Sequence, residues 1–382
     1  MTAPIVVPVD AWRLLWRWRT DVLIAADGTE QRASTSALPR TFMAATANLT
    51  DAQRLALHAA IVGAPDATVP VAQPHEGTPT TAAVTGAAAV VDDTYCDWIA
   101  AGRRVLVVGA GGVSFTTTIS SFTGGSLTLG AGPSSGTYPA GVTMVYPCEE
   151  VYLDDGQEVT RAPVNLSRWR LAGRQQTAAA LTGTGGAAVT TYESLPVLVD
   201  RPLAGTSDGE TYRTGIEFAD AGGAPSASTI WTYGRRQRSG SWMITTPAQR
   251  QTWKVWLSTV RGRWKPFLAP TWRPDFTLYT QPSAGGTTVR VNEEVSGAWA
   301  DTVTRLQLEY ADGSVSYRTI DTTSWTGTYT QFTLTASLPG TIPGGSVRTV
   351  SLLEECRLDT DDVTIEYRGD WIGRVTLPMV AL

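Results

Sequence analysis

Thr50-Asp-Ala-Gln-Arg54 recurs far downstream as Thr246-Pro-Ala-Gln-Arg250. Both stretches read as helix starts. Thr is the N-cap, and Gln53 or Gln249 three residues on can reach back to complete a capping box. Pro247 at the first helical position strengthens the second copy. Leu57, Ala60 and Ile61 follow in one, Trp253, Trp256 and Leu257 in the other. This spacing gives each helix one apolar face. A strand is expected before each helix, around 41–46 and 241–245, with Phe42-Met43 matched to Trp242-Met243.

Working outward, Val69-Pro-Val-Ala-Gln-Pro74 is matched by Ala269-Pro-Thr-Trp-Arg-Pro274. Each opens into a Gly/Thr/Val-rich stretch with short alternating runs, 104–108, 115–119 and 126–129 in the first, 287–291, 305–308 and 331–335 in the second. Each stretch closes on a third signature, Glu149-Glu-Val-Tyr-Leu-Asp154 and Glu354-Glu-Cys-Arg-Leu-Asp359, followed by a charged alternating strand. Three signatures in one order imply two copies of one unit. The fold class expected is mainly β with a few short helices, a β-rich α+β chain. It has two tandem bodies, each with one helix and each interrupted by a small inserted β-barrel or sandwich module. The boundaries read 1–80 for the first body and 81–150 for its module. They continue with 151–280 for the return strand and second body, 281–355 for the second module and 356–382 for the closing strands. The stretch 167–233 reads as lying between the copies, with loops at 178–186 and a last strand near 215–218.

Composition agrees with many short strands. The 382 residues are 42% hydrophobic and 17% charged, with 37 Gly and 22 Pro to supply turns. That apolar share argues against disorder. The net charge of −5 argues against a chain-wide attraction to nucleic acid or anionic membrane. No apolar run long enough for a transmembrane helix occurs, and no secretory leader is recognisable at the N-terminus. The three cysteines, Cys96, Cys148 and Cys356, form no CxxC, which fits a reduced compartment, a cytoplasm.

No catalytic constellation stands out. His58 lies on the first helix opposite Lys254 of the second, a position expected on a solvated face. His75 follows Pro74 in a loop with no ligand cluster around it, so no metal or cofactor is expected. Val107-Val-Gly-Ala-Gly-Gly-Val113 lacks the third small residue and the helix of a dinucleotide loop and reads as a hairpin turn. The acidic pairs Asp92-Asp93, Asp154-Asp155, Glu293-Glu294 and Asp361-Asp362 are neighbours in sequence and point to opposite strand faces, unlike the opposed carboxylates of a glycosidase. Glu149-Glu150 and Glu354-Glu355 suggest a structural or interface role. The chain reads as no enzyme.

Two basic aromatic stretches remain. Trp12-Arg-Leu-Leu-Trp-Arg-Trp-Arg19 alternates as a strand with one aromatic and one charged face. Arg261-Gly-Arg-Trp-Lys-Pro-Phe267, with Arg235, Arg236 and Arg238 upstream, reads as a positive patch. Stacking on nucleic-acid bases is one use of such residues. A protein interface, where Trp and Arg are enriched, is favoured, because the basic character is local. The interface candidates are Trp12, Trp16, Trp18, Arg235, Arg236, Arg261, Arg263, Trp264 and Trp272.

These residues carry a resemblance. Trp18-Arg-Thr-Asp-Val-Leu-Ile24 with Asp27-Gly-Thr-Glu-Gln-Arg32, then 261–275, then the two Glu-Glu-x-x-Leu-Asp strands, resemble the tail-tip proteins of tailed bacteriophages, of the distal tail or baseplate hub kind. The resemblance implies bodies like those of the tail tube, and a structural virion protein that forms a ring continuing the tube. Its implied partners are itself, the tube protein and other baseplate proteins, with genome DNA passing through the lumen. Hubs with two bodies form trimers that mimic sixfold symmetry, whereas distal tail proteins with one body form hexamers. The duplication favours the trimer; the N-terminal pattern is nearer the distal tail protein. The implied location is the tail tip of a virion assembled in a bacterial cytoplasm, without membrane insertion. Two other readings are a carbohydrate-binding adhesion protein using Trp98, Trp299 or Trp325, and a glycan-cleaving enzyme with unrecognised carboxylates.

Overall fold

Side chains of a strand alternate between its two faces, and the first strand shows it. Trp12, Leu14, Trp16 and Trp18 are buried while Arg13, Arg17 and Arg19 are exposed. The computed structural model describes residues 6–24, 29–64, 66, 68–154, 156–162, 166–176, 188–204, 210–213, 216–219, 226–229, 234–369 and 372–382. The loops expected at 178–186 lie outside the described residues. The chain is mainly β, with three α-helices among the described residues and a large antiparallel sheet.

The first half contributes β1 (Pro8–Arg17), β2 (Thr20–Ile24), β3 (Glu30–Ser34), β4 (Arg40–Thr50), α1 (Asp51–Gly63), β5 (Thr68–Ala72), β6 (Met144–Leu153), β7 (Glu158–Ala162) and β8 (Leu166–Gln175). The second contributes β9 (Glu210–Arg213), β10 (Ile216–Ala219), β11 (Ser226–Thr229), β12 (Arg235–Ile244), α2 (Pro247–Val260), β13 (Phe267–Pro270), β14 (Val347–Leu358), β15 (Asp362–Arg368) and β16 (Ile372–Ala381). The same pairing order occurs in both. β8 has β4 on one side, and β7 then β6 on the other. β16 has β12 on one side, and β15 then β14 on the other. β6 lies on β5 as β14 lies on β13. β1 flanks β4 as β9 flanks β12, each followed by a hairpin, β2–β3 and β10–β11. The lead-in repeats too. Val6 donates to the Pro70 carbonyl (3.0 Å), and Leu198 to the Leu268 carbonyl (2.8 Å). The described parts of 197–229 (197–204, 210–213, 216–219 and 226–229) are thus the front of the second unit, not a spacer between copies.

Ladder register corrects two matches made on sequence. Val151 faces both Gln175 and Val69, and Cys356 faces both Ala381 and Phe267. Val69 therefore corresponds to Phe267, two residues from Ala269. Leu171 faces Ala45 and Leu377 faces Gly240, so Trp242 stands where Ala47 does, not where Phe42 does.

The helix caps form largely as expected. The Thr50 hydroxyl accepts from the Gln53 N–H (3.3 Å), and the Gln53 amide oxygen accepts from the Thr50 N–H (2.9 Å). Thr246 likewise accepts from the Gln249 N–H (3.2 Å), but the Gln249 oxygen accepts from Thr245, one residue earlier (3.0 Å). The second box is displaced by one residue.

Each inserted module has its own apolar core. The first holds strands Ala88–Val90, Arg104–Val108, Ser114–Thr123 and Ser126–Leu129. Gly111 and Gly112 turn between two of these at positive φ (71° and 78°), the hairpin expected of that Gly-rich run. The second holds Leu278–Thr280, Thr288–Val291, α3 (Gly297–Thr302), Arg305–Tyr310, Val315–Trp325 and Thr330–Leu334. Three of the four residues in the repeated acidic pairs fasten the modules to the bodies, while Glu354 pairs with Arg236 inside the second body. Glu149 and Glu150 meet Arg103 and Arg104, and Glu355 meets Arg305 (3.7 Å).

Candidate assembly interface

The two units join through β1, whose free edge takes up β15 of the other unit from Ala11–Arg368 to Arg17–Asp362. The body strands thus run β7–β8–β4–β1–β15–β16–β12–β9. Leu14 lies opposite Ile365 and Trp16 opposite Val363, all buried. Charge flanks the seam. Arg17 makes a bidentate pair with Asp362 (2.7 and 2.8 Å), and Arg13 pairs with Glu366 (2.8 Å). The β2–β3 hairpin reaches across to the second unit, where Glu30 sits between Arg357 (2.8 and 3.0 Å) and Arg235. Burial pushes the Glu30 carboxyl up, but the two guanidinium groups outweigh it and hold it below the usual range.

The equivalents of β15 and β1 are β7 and β9, at the two ends of that run. Among the described residues β7 has only β8 as a strand neighbour, and β9 only β12. Exposure follows pairing. Ile365 on β15 is 1% exposed, whereas Val159, its counterpart on β7, is 43% exposed. Trp16 on β1 is 3% exposed, whereas Tyr212, its counterpart on β9, is 63% exposed. A groove borders each free edge. One of about 580 Å³ lies between α1 and β7, lined by His58, Ile61, Val69, Leu153, Val159 and Trp169. Another of about 870 Å³ borders β9, lined by Tyr212, Arg236, Trp299, Arg305, Glu355 and Leu382.

A second contact joins the units within the chain. The first inserted module lies on α2, and the two meet through buried ions. Lys254 pairs with Glu76 and with both carboxylate oxygens of Asp97 (3.1 and 3.2 Å). Arg250 meets Glu76 (3.3 Å) and donates to the His75 carbonyl. Gln251 donates to the Tyr95 carbonyl (2.7 Å). The His75 ring packs against both Trp12 (4.3 Å) and Tyr367 (4.4 Å), which stack on each other (4.8 Å). Burial, then Arg250 and Lys254, hold His75 well below its ordinary value, so the imidazole is neutral. Glu76 is pushed up by burial, but Lys254 and Arg250 more than offset this and keep it ionised. The sequence missed this cluster: His75 was expected in a loop with no ligand cluster around it, and Lys254 on a solvated face. His58, its counterpart, is exposed as expected.

The nine candidate residues separate. Trp12, Trp16, Trp18 and Trp272 are in the core of their own chain. Eight of the fourteen Trp lie in that one cluster, which accounts for their number. These four indoles are therefore already covered and present no face to a sister subunit. Arg235 pairs with Glu30, and Arg236 with Glu354 (2.5 Å). Arg238 is buried on the Ala269 and Pro270 carbonyls (2.8 Å each). These three cations are answered by carboxylates or carbonyls and do not add to a positive patch. Arg261 and Lys265 flank the half-buried Trp264 ring (5.1 and 4.8 Å) at the end of α2, where the Arg263 N–H bonds Asp361 (2.9 Å). The residues that do face outward at the free edges, Val159 and Tyr212, were not singled out by sequence. Only the repeat, read through the ladders, finds them.

Among the described residues no group of three or more His, Cys, Asp or Glu is placed to hold a metal ion. No helix among the described residues is long and apolar enough to cross a membrane. Comparison with protein-family models and with curated proteins finds no match.

Proposed function

We propose that the chain is a structural subunit of a bacteriophage tail tip, a distal tail or hub protein, which closes into a ring by pairing β9 of one copy with β7 of the next. One observation carries this reading: the β1–β15 ladder joins two equivalent units inside the chain, and the equivalents of those two strands each keep one edge with no strand neighbour among the described residues. A joint of this kind is heterologous. Repeated by rotation it gives a ring, and without closure a filament. An open strand edge is a template for a further strand. In the same register as the internal joint, Val159 lies opposite Glu210, and Gln157 opposite Tyr212.

Three chains give six units around the lumen, the arrangement the resemblance implies. The net charge of −5 suits a wall past which DNA slides. The inserted modules face neighbouring tail-tip proteins. The adhesion reading is narrower than the sequence suggested, because Trp98 is buried and donates to the Glu76 carbonyl (2.9 Å). It now rests on Trp299 and Trp325, which are 43% and 36% exposed.

Native mass spectrometry tests the ring. A discrete three-chain species is expected. A stable monomer at all concentrations, with tryptophan fluorescence that glycans quench, is the result that favours adhesion instead.

A further inference from the structure

α1 and α2 are equivalent helices with unlike surroundings. From their caps, Arg54, Leu55 and His58 correspond to Arg250, Gln251 and Lys254. The second three are buried beneath the first inserted module, at 3%, 0% and 7% exposure. On α1, Leu55 is 58% exposed and Val62 67%.

The second inserted module holds the matching surface. The Pro147 and Leu352 carbonyls accept from Gln73 (2.9 Å) and Thr271 (3.0 Å), which makes these pairs equivalent. Val105 faces Pro147 and Leu306 faces Leu352, and a Trp stands seven residues before each, Trp98 and Trp299. By the same offset Ser296 corresponds to Tyr95, and Pro274 stands where Glu76 does. Both sides have changed in concert. Inside the chain, Arg250, Gln251 and Lys254 meet Glu76, Asp97 and the Tyr95 carbonyl. In the other pair of surfaces the helix offers Leu55, His58 and Val62. The module offers Pro274, Ser296 and an indole that is 43% exposed where its counterpart is 7% exposed. Arg54, the one cation retained, has a carboxylate on its own helix, Asp51 at 3.6 Å. Trp299 and the free strand β9 line one groove, and His58 and the free strand β7 line the other.

We propose that α1 of each subunit is covered by the second inserted module of the preceding copy of this chain, with Ser296 and Trp299 lying over Leu55 and His58. The contact is built on Leu55 and Trp299 where its internal counterpart is built on Arg250, Lys254 and Glu76. This rests on the ring proposed above and names a second surface within it. The ionic seat on α2 rejects the second module, because Pro274 stands in the place of Glu76 and Arg250 would lose its carboxylate. The two joints are thus not interchangeable, which fixes the order of units around the ring.

Leu55→Cys and Ser296→Cys, prepared as separate full-length proteins and mixed, test this with a short bismaleimide. The native thiols are buried, with Cys96 and Cys148 pushed up to about 12 and Cys356 to about 11, so they stay silent. A covalent two-chain species is expected from the mixture and from neither variant alone. Trp299→Ala is expected to raise the concentration at which the ring dissociates about tenfold or more, with the subunit still folded by circular dichroism. A ring of normal mass that gives no cross-link, and dissociates as the unsubstituted protein does, overturns the docking and leaves the ring standing. An unsubstituted protein that is monomeric throughout overturns both.

Discussion

The two helix seats are one design finished in two ways. Under α2 the core is solid: Trp253, Trp256 and Phe267 are buried, and Trp256 meets Phe267 edge-on at 4.9 Å. At the matching positions of the first unit stand Leu57, Ala60 and Val69, and a groove of about 580 Å³ opens beside them. The lid of α2 is built into the same chain, so its charges could be matched by selection within one sequence. Among the described residues the seat of α1 carries no such lid. A surface left apolar and open in only one of two equivalent places is one whose cover comes from elsewhere.

The sharpest way to break this comparison is one substitution made in both units. Ile365→Asp buries a carboxylate in the internal seam, and loss of the folded chain is expected, at a cost of several kcal/mol. Val159→Asp places the same group at the free edge. The subunit should melt within about 0.5 kcal/mol of the parent yet fail to assemble. Thermal unfolding and native mass read the two effects. Equal destabilisation by both substitutions removes the distinction between joined and free edges.

The next effect in size concerns the ions. Glu76→Ala leaves the buried Arg250 without its carboxylate and Lys254 with Asp97 alone, and a loss of about 3–5 kcal/mol is expected from urea unfolding. Asp51→Ala removes the exposed partner of Arg54 and should cost within about 0.5 kcal/mol. Comparable losses would mean that the α2 seat is no more dependent on its charges than α1.

The smallest effect is a pH dependence peculiar to the second seat. His75 is neutral in the folded chain, because burial and its two cationic neighbours hold it below its ordinary 6.5. The unfolded chain takes up a proton there as pH falls through that value. Stability is therefore full above pH 6.5 and declines below it, by up to about 1.4 kcal/mol per pH unit for one proton. Unfolding curves between about pH 8 and 5 check this. A midpoint as steep in His75→Gln as in the parent would rule out His75 as the source.

The repeat was readable because its markers are local: a Thr cap with a Gln three residues on, and a Glu-Glu-x-x-Leu-Asp strand. Register was not. A slip of two residues, as between Val69–Ala269 and Val69–Phe267, leaves every inward side chain facing inward, so alternation cannot detect it. The aromatic face of β1 was visible in the spacing of Trp12, Trp16 and Trp18. What covers that face was not, because alternation marks a side as apolar without saying whether the cover is the same chain or another. The ionic cluster was invisible for a different reason. Glu76 and Asp97 approach Arg250 and Lys254 only through the docking of a module on the other unit's helix, and no spacing records that.

The seam between the halves also sets a timetable. Arg17 finds its carboxylate at Asp362, 345 residues later in the chain. At roughly 5–20 residues per second, synthesis keeps β1 waiting on the order of tens of seconds for its partner. During that time Trp12, Trp16 and Trp18 lie without their final cover, and an emerging β15 from a neighbouring ribosome is as good a match as the chain's own. Crowded expression should therefore yield entangled chains, and slow expression should favour correct closure.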